Sequence, residues 1–188
     1  MGENMSNLYA VLRNQIEGLI LGTVGNGGRV ISSGRFKSCP QDKTVENIPV
    51  NDCERSFRVF FEGMQEFEDG WNSLNVDARE KIQFSIKIAY QYTRGGMYPE
   101  EYEGLSKLQG NGDIDSVNDR AFSDAVELIK TISYYENYGI LQASPKIDVF
   151  SFHPLNKNSL DLFNDRAILT ISMEAWVQID TTSDYGGM

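Results

Sequence analysis

Residues 79–92 constrain the fold of this chain more than any other stretch. Apolar side chains occupy every second position, and mostly polar side chains lie between them. The apolar set is Ile82, Phe84, Ile86, Ile88, Tyr90 and Tyr92, and the other set is Lys81, Gln83, Ser85, Lys87, Ala89 and Gln91. Because successive side chains of a strand point to opposite faces, the pattern predicts a strand with one apolar and one wet face, on which Ala89 is the exception. A sheet with one wet face is usually antiparallel.

Other segments show the same two-residue period. Residues 55–61 place Phe57, Val59 and Phe61 on one side, and the segment Arg166–Asp180 alternates in the same way over its whole length. Residues 29–36 and 141–152 are also predicted as strands, with Pro145 indicating an edge strand or a bulge in the second. The sheet therefore draws its strands from both ends of the chain.

Two segments show the period of an amphipathic helix. The first runs from a cap at Ser6 or Asn7 to about Leu21, and Gly22 ends it. Its apolar stripe is Leu8, Val11, Leu12, Ile16, Leu19 and Ile20. The second spans about residues 117–134, with Asp115 or Ser116 as its cap. Its apolar face is Ala121, Phe122, Ala125, Val126, Leu128, Ile129 and Ile132.

The element order is therefore α-β-β-β-α-β-β, which predicts an α+β fold with two helices packed on one face of a mainly antiparallel sheet. We expect a single domain over residues 1–188, with long loops at about 38–54, 62–78 and 93–115 and a loose tail at 181–188. In the core, we expect the apolar face of the strand at 79–92 to pack against both helices. The predicted contacts join Phe84, Ile86 and Ile88 to Leu12, Phe122, Val126 and Ile129.

The charge of the chain argues against several classes of partner. Lys and Arg number 17 and Asp and Glu number 27, so the net charge is −10. Tight binding of nucleic acid needs cationic groups for the phosphates, and an anionic membrane surface needs them too. The sequence also contains no apolar run near the length of a membrane span and no signal-peptide pattern. We therefore expect no membrane association and no specific DNA binding.

No catalytic or metal-binding constellation is recognisable. Cys39 and Cys53 lack the spacing of a metal site, and we interpret them as reduced thiols, with a disulfide between them as the alternative. The single histidine, His153, has no nucleophile or carboxylate beside it in the sequence, so we predict no catalytic triad. The glycine-rich residues 22–28 lack the Gly-Lys-Ser/Thr ending of a phosphate-binding loop, and the segment from Asn111 fails the calcium-loop spacing. We expect neither a cofactor nor an enzyme activity.

Two groups of residues in the long connections are candidates for contacts with partners. The first group is an acidic run, which consists of Glu62, Glu66, Glu68 and Asp69. The second group consists of large apolar and aromatic side chains, a type that is enriched in interface cores: Phe67, Trp71, Met97, Tyr98 and Tyr102. We expect the first group to dock on a partner or line a passage, and the second to anchor subunit contacts.

The order and length of the elements resemble a known family. The segments that carry the likeness are the helices at 8–21 and 119–132, the strands at 56–61 and 81–90, and the ending 166–175. In this order they resemble the tail terminator and related head–tail joining (neck) proteins of long-tailed bacteriophages. The likeness is a pattern of elements over most of the chain and includes no signature motif. The long connections at 38–54 and 93–115 depart from it.

The resemblance implies a structural virion protein without catalytic residues. Such a protein forms a ring, usually of six copies, that caps the tail tube, stops its growth and joins it to the head. Its partners are the tail tube protein and a head-closure or connector protein, and DNA passes through the ring without specific binding. It is assembled in the host cytoplasm and resides in the virion. Two alternatives stay open: another neck or tail component (head-closure, tail-completion or tube protein), or an unrelated α+β module that binds a small ligand.

Overall fold

The computed structural model describes residues 2–22, 34–66, 77–92, 112–134 and 147–180 of the chain. Helix α1 is Gly2–Leu21 and helix α2 is Gly112–Ile132. The strands are β1 Lys37–Ser38, β2 Ser56–Glu66, β3 Asp77–Gln91, β4 Ile147–Pro154, β5 Ser159–Leu162 and β6 Arg166–Asp180. Two helices and a mixed, mostly antiparallel sheet confirm the predicted α+β class.

The strand that the sequence analysis singled out, β3, lies at the centre of the sheet. The strand order is β1-β2-β3-β6-β4, and β5 pairs with β6. β3 pairs with β6 from Asp77↔Asp180 to Gln91↔Arg166 without a register shift. On its other side β3 pairs with β2, with a β-bulge between Phe61 and Gly63. Among the described strands, only the pairing of β1 with β2 is parallel.

Strands β4 and β5 lie end to end along β6. β4 pairs with the C-terminal half of β6, where the register shifts between Val149 and Ser151, and β5 pairs with the N-terminal half. The sequence analysis assigned no strand to residues 154–165, so β5 is an additional element. Its Leu160 pairs with Leu169 across the ladder. The short polar break between the two strands is held by the Asn158 side chain, which accepts a hydrogen bond from the Ser172 amide at 3.2 Å.

Both helices cover the apolar face of the sheet, as predicted. Phe84, Ile86 and Ile88 are fully buried, and Leu12 of α1 belongs to the same cluster. The predicted role of Phe122 is wrong, because this side chain is 74% exposed. The stripe that α2 buries is Val117, Ala121, Asp124, Ala125, Leu128 and Ile132. Adjacent residues of a helix lie about 100° apart, so Phe122 falls outside this stripe, whereas Val126 and Ile129 are half-buried at its border.

The second face of the sheet is not exposed to solvent over its whole length. At one end, the segment between β1 and β2 folds over Ala89 and its cross-strand partner Ile168. Together they form a small second core with Cys39, Val45, Ile48 and Cys53. Ala89, the exception in the polar set of β3, therefore marks the place where this segment covers the sheet.

Several predicted boundaries differ from the observed ones. Helix α1 begins before Ser6 and Asn7, and α2 begins before Asp115, so none of these residues is a cap. Neither first turn contains a proline that would stop the helix at the predicted residue. The predicted loop at 62–78 is shorter, because β2 continues to Glu66 and β3 begins at Asp77.

Other predicted ranges fall partly outside the described residues. The strand predicted at 29–36 is replaced by the two-residue β1, preceded by turns at 34–36, and residues 29–33 lie outside the described part. The strand predicted at 141–152 is observed as β4, which continues to Pro154, and Pro145 lies outside the described part. Of the loop predicted at 93–115, residues 112–115 are helical and the remainder is not described. The tail at 181–188 is not described either.

Candidate interaction surfaces

The residues predicted as partner contacts fall mostly outside the described residues. Glu62 is exposed at the bulge of β2, and Glu66 ends that strand opposite Glu80. The remaining members of both groups occupy the undescribed ranges 67–76 and 93–111: Phe67, Glu68, Asp69, Trp71, Met97, Tyr98 and Tyr102. Their assignment to partner contacts stays a prediction. The structure places Glu62 and Glu66 on one strand and not on a hairpin loop.

A groove of about 460 Å³ runs beside β2 at the edge of the sheet. One wall is α1, which contributes Arg13, and the other wall is the turn 41–44. The floor is β2 itself, through residues 58–61. Sequence reasoning missed this groove, because no local pattern brings α1, a turn and a strand edge together.

Arg58 builds the turn wall of the groove. Its guanidinium donates to the backbone carbonyl of Pro40 at 3.2 Å, to that of Gln41 at 3.1 Å and to that of Lys43. The Thr44 amide also donates to the Asn47 side chain at 2.7 Å. A turn with so many fixed carbonyls is preorganised, and a partner in the groove would not have to order it.

The groove carries more positive than negative charge, in contrast to the chain as a whole. Its cationic side chains are Arg13, Lys43 and Arg58, and Asp42 is its one carboxylate. Glu17 lies 3.9 Å from Arg13, a long contact that neutralises it only in part, since Arg13 is 42% exposed. On a protein of net charge −10, this local excess of cations is a feature that a negatively charged partner would recognise.

A second arginine holds the segment that covers the other face of the sheet. Arg166, at the start of β6, donates to the Ile48 carbonyl at 2.7 Å and to the Val45 carbonyl at 3.1 Å. Its guanidinium also pairs with the Asp165 carboxylate at 2.7 Å, and hydrogen bonding from Arg166 lowers the pKa of Asp165. The segment between β1 and β2 is therefore attached to the sheet by side chains at both of its ends.

The two cysteines lie in that covered region as free thiols. Burial raises the pKa of both Cys39 and Cys53, with Arg58 opposing the effect at Cys39 and Arg166 opposing it at Cys53. A raised pKa reduces the thiolate fraction, and the thiolate is the reactive form. Burial and a raised pKa are typical of structural cysteines.

Asp124 of α2 is the centre of a polar network under the helix. It is fully buried, and its carboxylate accepts from Arg55 Nε at 2.8 Å, from the Tyr90 hydroxyl at 3.0 Å and from Arg35. Arg35 also pairs with Glu127 on the next turn of α2. Burial, followed by the neighbouring Asp124 charge, raises the pKa of Tyr90 well above its ordinary value. The network ties α2 to β3 and to the residues that precede β1 and β2.

The backbone of Arg55 is part of the same junction. Its φ of 53° lies in the left-handed region, which costs a residue with a side chain about 1–2 kcal/mol. In this conformation its amide donates to the Ala89 carbonyl at 2.8 Å, and its carbonyl accepts from the Lys37 amide at 3.0 Å. The strain is offset by contacts to three elements at the point where β2 begins.

Arg120 and Glu54 form a second buried pair one turn earlier on α2. Arg120 donates to the Glu54 carboxylate at 2.6 Å and to the Gln91 carbonyl at 3.0 Å, and the Gln91 amide donates to Glu54 at 2.8 Å. Burial raises the pKa of Glu54, although Arg120 and the Gln91 amide oppose it. Both networks join α2 to the end of the sheet, which is a structural role.

His153 has a closer neighbour than the sequence analysis recognised. Ser151, two residues earlier on β4, places its Oγ 2.7 Å from His153 Nε2. Ser151 and His153 are neighbours because residues i and i+2 of a strand share a face, a relation that the sequence analysis did not consider. The nearby carboxylate of Glu174 accepts from the indole of Trp176, whose ring lies 4.7 Å from the His153 ring. His153 and Glu174 thus form a surface cluster with Trp176. Lys81 belongs to the same cluster, because its Nζ lies 4.9 Å from the centroid of the Trp176 ring.

Three large apolar side chains of the described residues are exposed. Phe122 on α2 is 74% exposed, Leu162 at the end of β5 is 51% exposed, and Phe163 is 50% exposed. Single exposed apolar residues are ordinary on protein surfaces, but aromatic ones are enriched where partners bind. Phe122 is notable because its neighbours Val126 and Ile129 are only half-buried and extend an apolar strip along the outer side of α2.

No protein-family model and no curated protein matches this sequence. Among the described residues, no group of three or more His, Cys, Asp or Glu side chains is placed to hold a metal ion. No helix of the described part is long and apolar enough to cross a membrane. The geometry of the described surfaces is therefore the basis for a proposal about function.

Proposed function

We propose that this protein is a structural virion subunit that forms a ring, usually of six copies, in the neck of a long-tailed bacteriophage. The ring caps the tail tube, stops its growth and joins it to the head. The observation that carries the proposal is the fold: two helices on one face of a mostly antiparallel sheet, in an order that broadly matches the predicted one and adds the strand β5. The proposal rests on this pattern of elements.

Surface features support an assembling subunit. The exposed Phe122, Leu162 and Phe163 are side chains that contact with another protein would bury. The two outer strands of the sheet present backbone groups that can pair with other chains. The buried networks around Asp124 and Arg120 are directed inward and hold α2 on the sheet. The polar side chains of the described interior thus hold the elements rigidly together, as a ring component requires.

The charge of the protein fits the passage of DNA. A ring of six copies with a net charge of −10 each carries on the order of −60, and a negatively charged lumen repels phosphates and keeps the passage free of bound DNA. In this proposal the partners are the tail tube protein and a head-closure or connector protein. The protein has no cofactor and no enzymatic role, and it assembles in the host cytoplasm before it resides in the virion.

Electron microscopy of particles that lack this protein tests the proposal. We expect tails of uncontrolled length that are not attached to filled heads. Tails of normal length with heads that leak DNA would instead assign the protein to head closure. Particles of normal form and infectivity would overturn the proposal and favour the unrelated ligand-binding module. Complementation with the unchanged protein is the matched control.

A further inference from the structure

Within the described residues, the outer edge of β2 is open over most of its length. β1 pairs only with Ser56 and Phe57, and no other described strand lies on that side of β2. The open part is residues 59–66, beside the groove that Arg13 and the turn 41–44 enclose. An open edge flanked by two walls admits one extended segment between them.

The backbone of β2 is oriented to pair with such a segment. Within β2, the Phe57 carbonyl accepts from the Cys39 amide at 2.9 Å, so Phe57 directs its backbone groups away from β3. Because this direction alternates along a strand, Val59 and Phe61 present their amides and carbonyls to the groove. Strand addition uses these groups as its hydrogen-bonding partners.

The other end of the sheet offers a matching strand. β4 is the last strand in the order and, within the described residues, has no partner on its outer side. It is eight residues long, which equals the open part of β2. Its one formally charged residue is Asp148, and β5 adds Asp161 along the same edge. These two negative charges are opposite in sign to the Arg13 and Lys43 charges of the groove.

We propose that the open edge of β2 in one subunit pairs with the outer edge of β4 in a second copy of this chain. The inference rests on the proposed ring and names its subunit contact. Two different edges at opposite ends of one sheet form a head-to-tail contact, which closes into a ring when the rotation between subunits permits it. The sheet is then continuous from one subunit to the next, and the cationic groove receives β4.

Hydrogen–deuterium exchange at increasing protein concentration tests this pairing. In the monomer, the outward amides of β2 and β4 exchange with solvent. On assembly, we expect exchange to slow at least about tenfold in two separate peptides, one over residues 58–66 and one over residues 147–154. Lys43→Glu reverses a charge of the groove and should abolish both changes at the concentration where the unchanged protein shows them. Lys130→Glu, on the exposed surface of α2, is the matched control and should retain them.

The outcomes separate this inference from the proposed function. Assembly without slower exchange in both peptides, or no assembly at any concentration, overturns the β2–β4 pairing. Equal assembly of the Lys43→Glu and unchanged proteins also overturns it, provided that both melt at the same temperature. If the pairing is observed and particles that lack the protein are nevertheless normal, the proposed function fails while the pairing stands. If both peptides stay unprotected and the tails are defective, the β2–β4 pairing fails while the proposed function stands.

Discussion

Asp124 is the residue on which the polar contacts under α2 converge. It stands among Ala121, Ala125 and Leu128, where the sequence pattern alone suggests an apolar surface. A buried carboxylate without partners would cost several kcal/mol, so its position requires Arg55, Arg35 and Tyr90 around it. The only signal in the sequence was an acid within an apolar stripe, and the identity of its partners depends on three other segments.

Asp124→Asn should destabilise the protein by about 3 kcal/mol, because two arginines lose the charge that compensates them under α2. Urea denaturation monitored by circular dichroism measures the change. Asp119→Asn, on the exposed side of the same helix, is the matched control and should shift the free energy of unfolding by less than about 0.5 kcal/mol. Equal effects of the two substitutions would contradict the assigned role of Asp124.

Tyr90→Phe removes the hydroxyl that donates to Asp124 and should cost about 1–2 kcal/mol near neutral pH. The pKa of Tyr90 is raised in the folded state, so the folded protein holds this proton more tightly than the unfolded chain does. The stabilisation by Tyr90 is therefore complete below the unfolded pKa of about 10 and is lost as the pH rises from there towards the folded pKa.

The pH dependence of unfolding tests this assignment. The difference in stability between the unchanged protein and Tyr90→Phe should shrink above pH 10, and other titrating groups cancel in the comparison. A difference that stays constant from pH 8 to pH 11 would show that Tyr90 titrates alike in both states.

At the scale of elements, the orientation of α2 is the main departure from the sequence-based picture. Sequence reasoning recognised a broad apolar face and assigned Phe122 to the core, but a helix buries only the stripe that the sheet can reach. The network at Asp124 and the pair Arg120–Glu54 both lie on the buried side, and they select one rotation of the helix. Phe122 is left on the outside by this rotation.

A pair of substitutions on α2 tests this orientation. Leu128→Ala should cost about 2–4 kcal/mol, because it opens a cavity at a fully buried position. Phe122→Ser should change the free energy of unfolding by less than about 0.5 kcal/mol, since its side chain is already exposed. Chemical denaturation of both variants provides the comparison. A Phe122→Ser variant as unstable as Leu128→Ala would place Phe122 in the core after all.

At the scale of the whole molecule, the distribution of charge is the property that bears on assembly. The chain is acidic overall, the groove beside β2 is cationic, and the acidic run begins at the exposed Glu62. Opposite local charges on one subunit favour a defined arrangement of neighbours, because like charges in contact are penalised. We favour docking of the acidic run on a basic partner over a position in the lumen, because the run contains Phe67 and Trp71.

Charge reversal in the acidic run distinguishes docking from a lumen position. The variant Glu66→Lys, Glu68→Lys, Asp69→Lys should prevent tail–head joining, and a compensating change in the partner should restore it in a salt-dependent way. Normal joining with stalled DNA ejection would place the run on the lumen. Asp119→Lys controls for a charge reversal at a surface that is distant in sequence. If the triple variant affects neither joining nor DNA ejection, the acidic run has no role in the proposed function.

The sequence by itself determined the strands β3 and β6 and the α+β class, because alternation and helical periodicity are local and report which face is buried. The tertiary structure decided the rotation of α2, the partners of Asp124, the cover over Ala89 and the groove beside β2. Each of these depends on contacts between residues far apart in the chain, such as Arg55 with Asp124 and Arg166 with Val45. Such contacts leave no periodic trace in the sequence, so they became visible only when the elements were packed together.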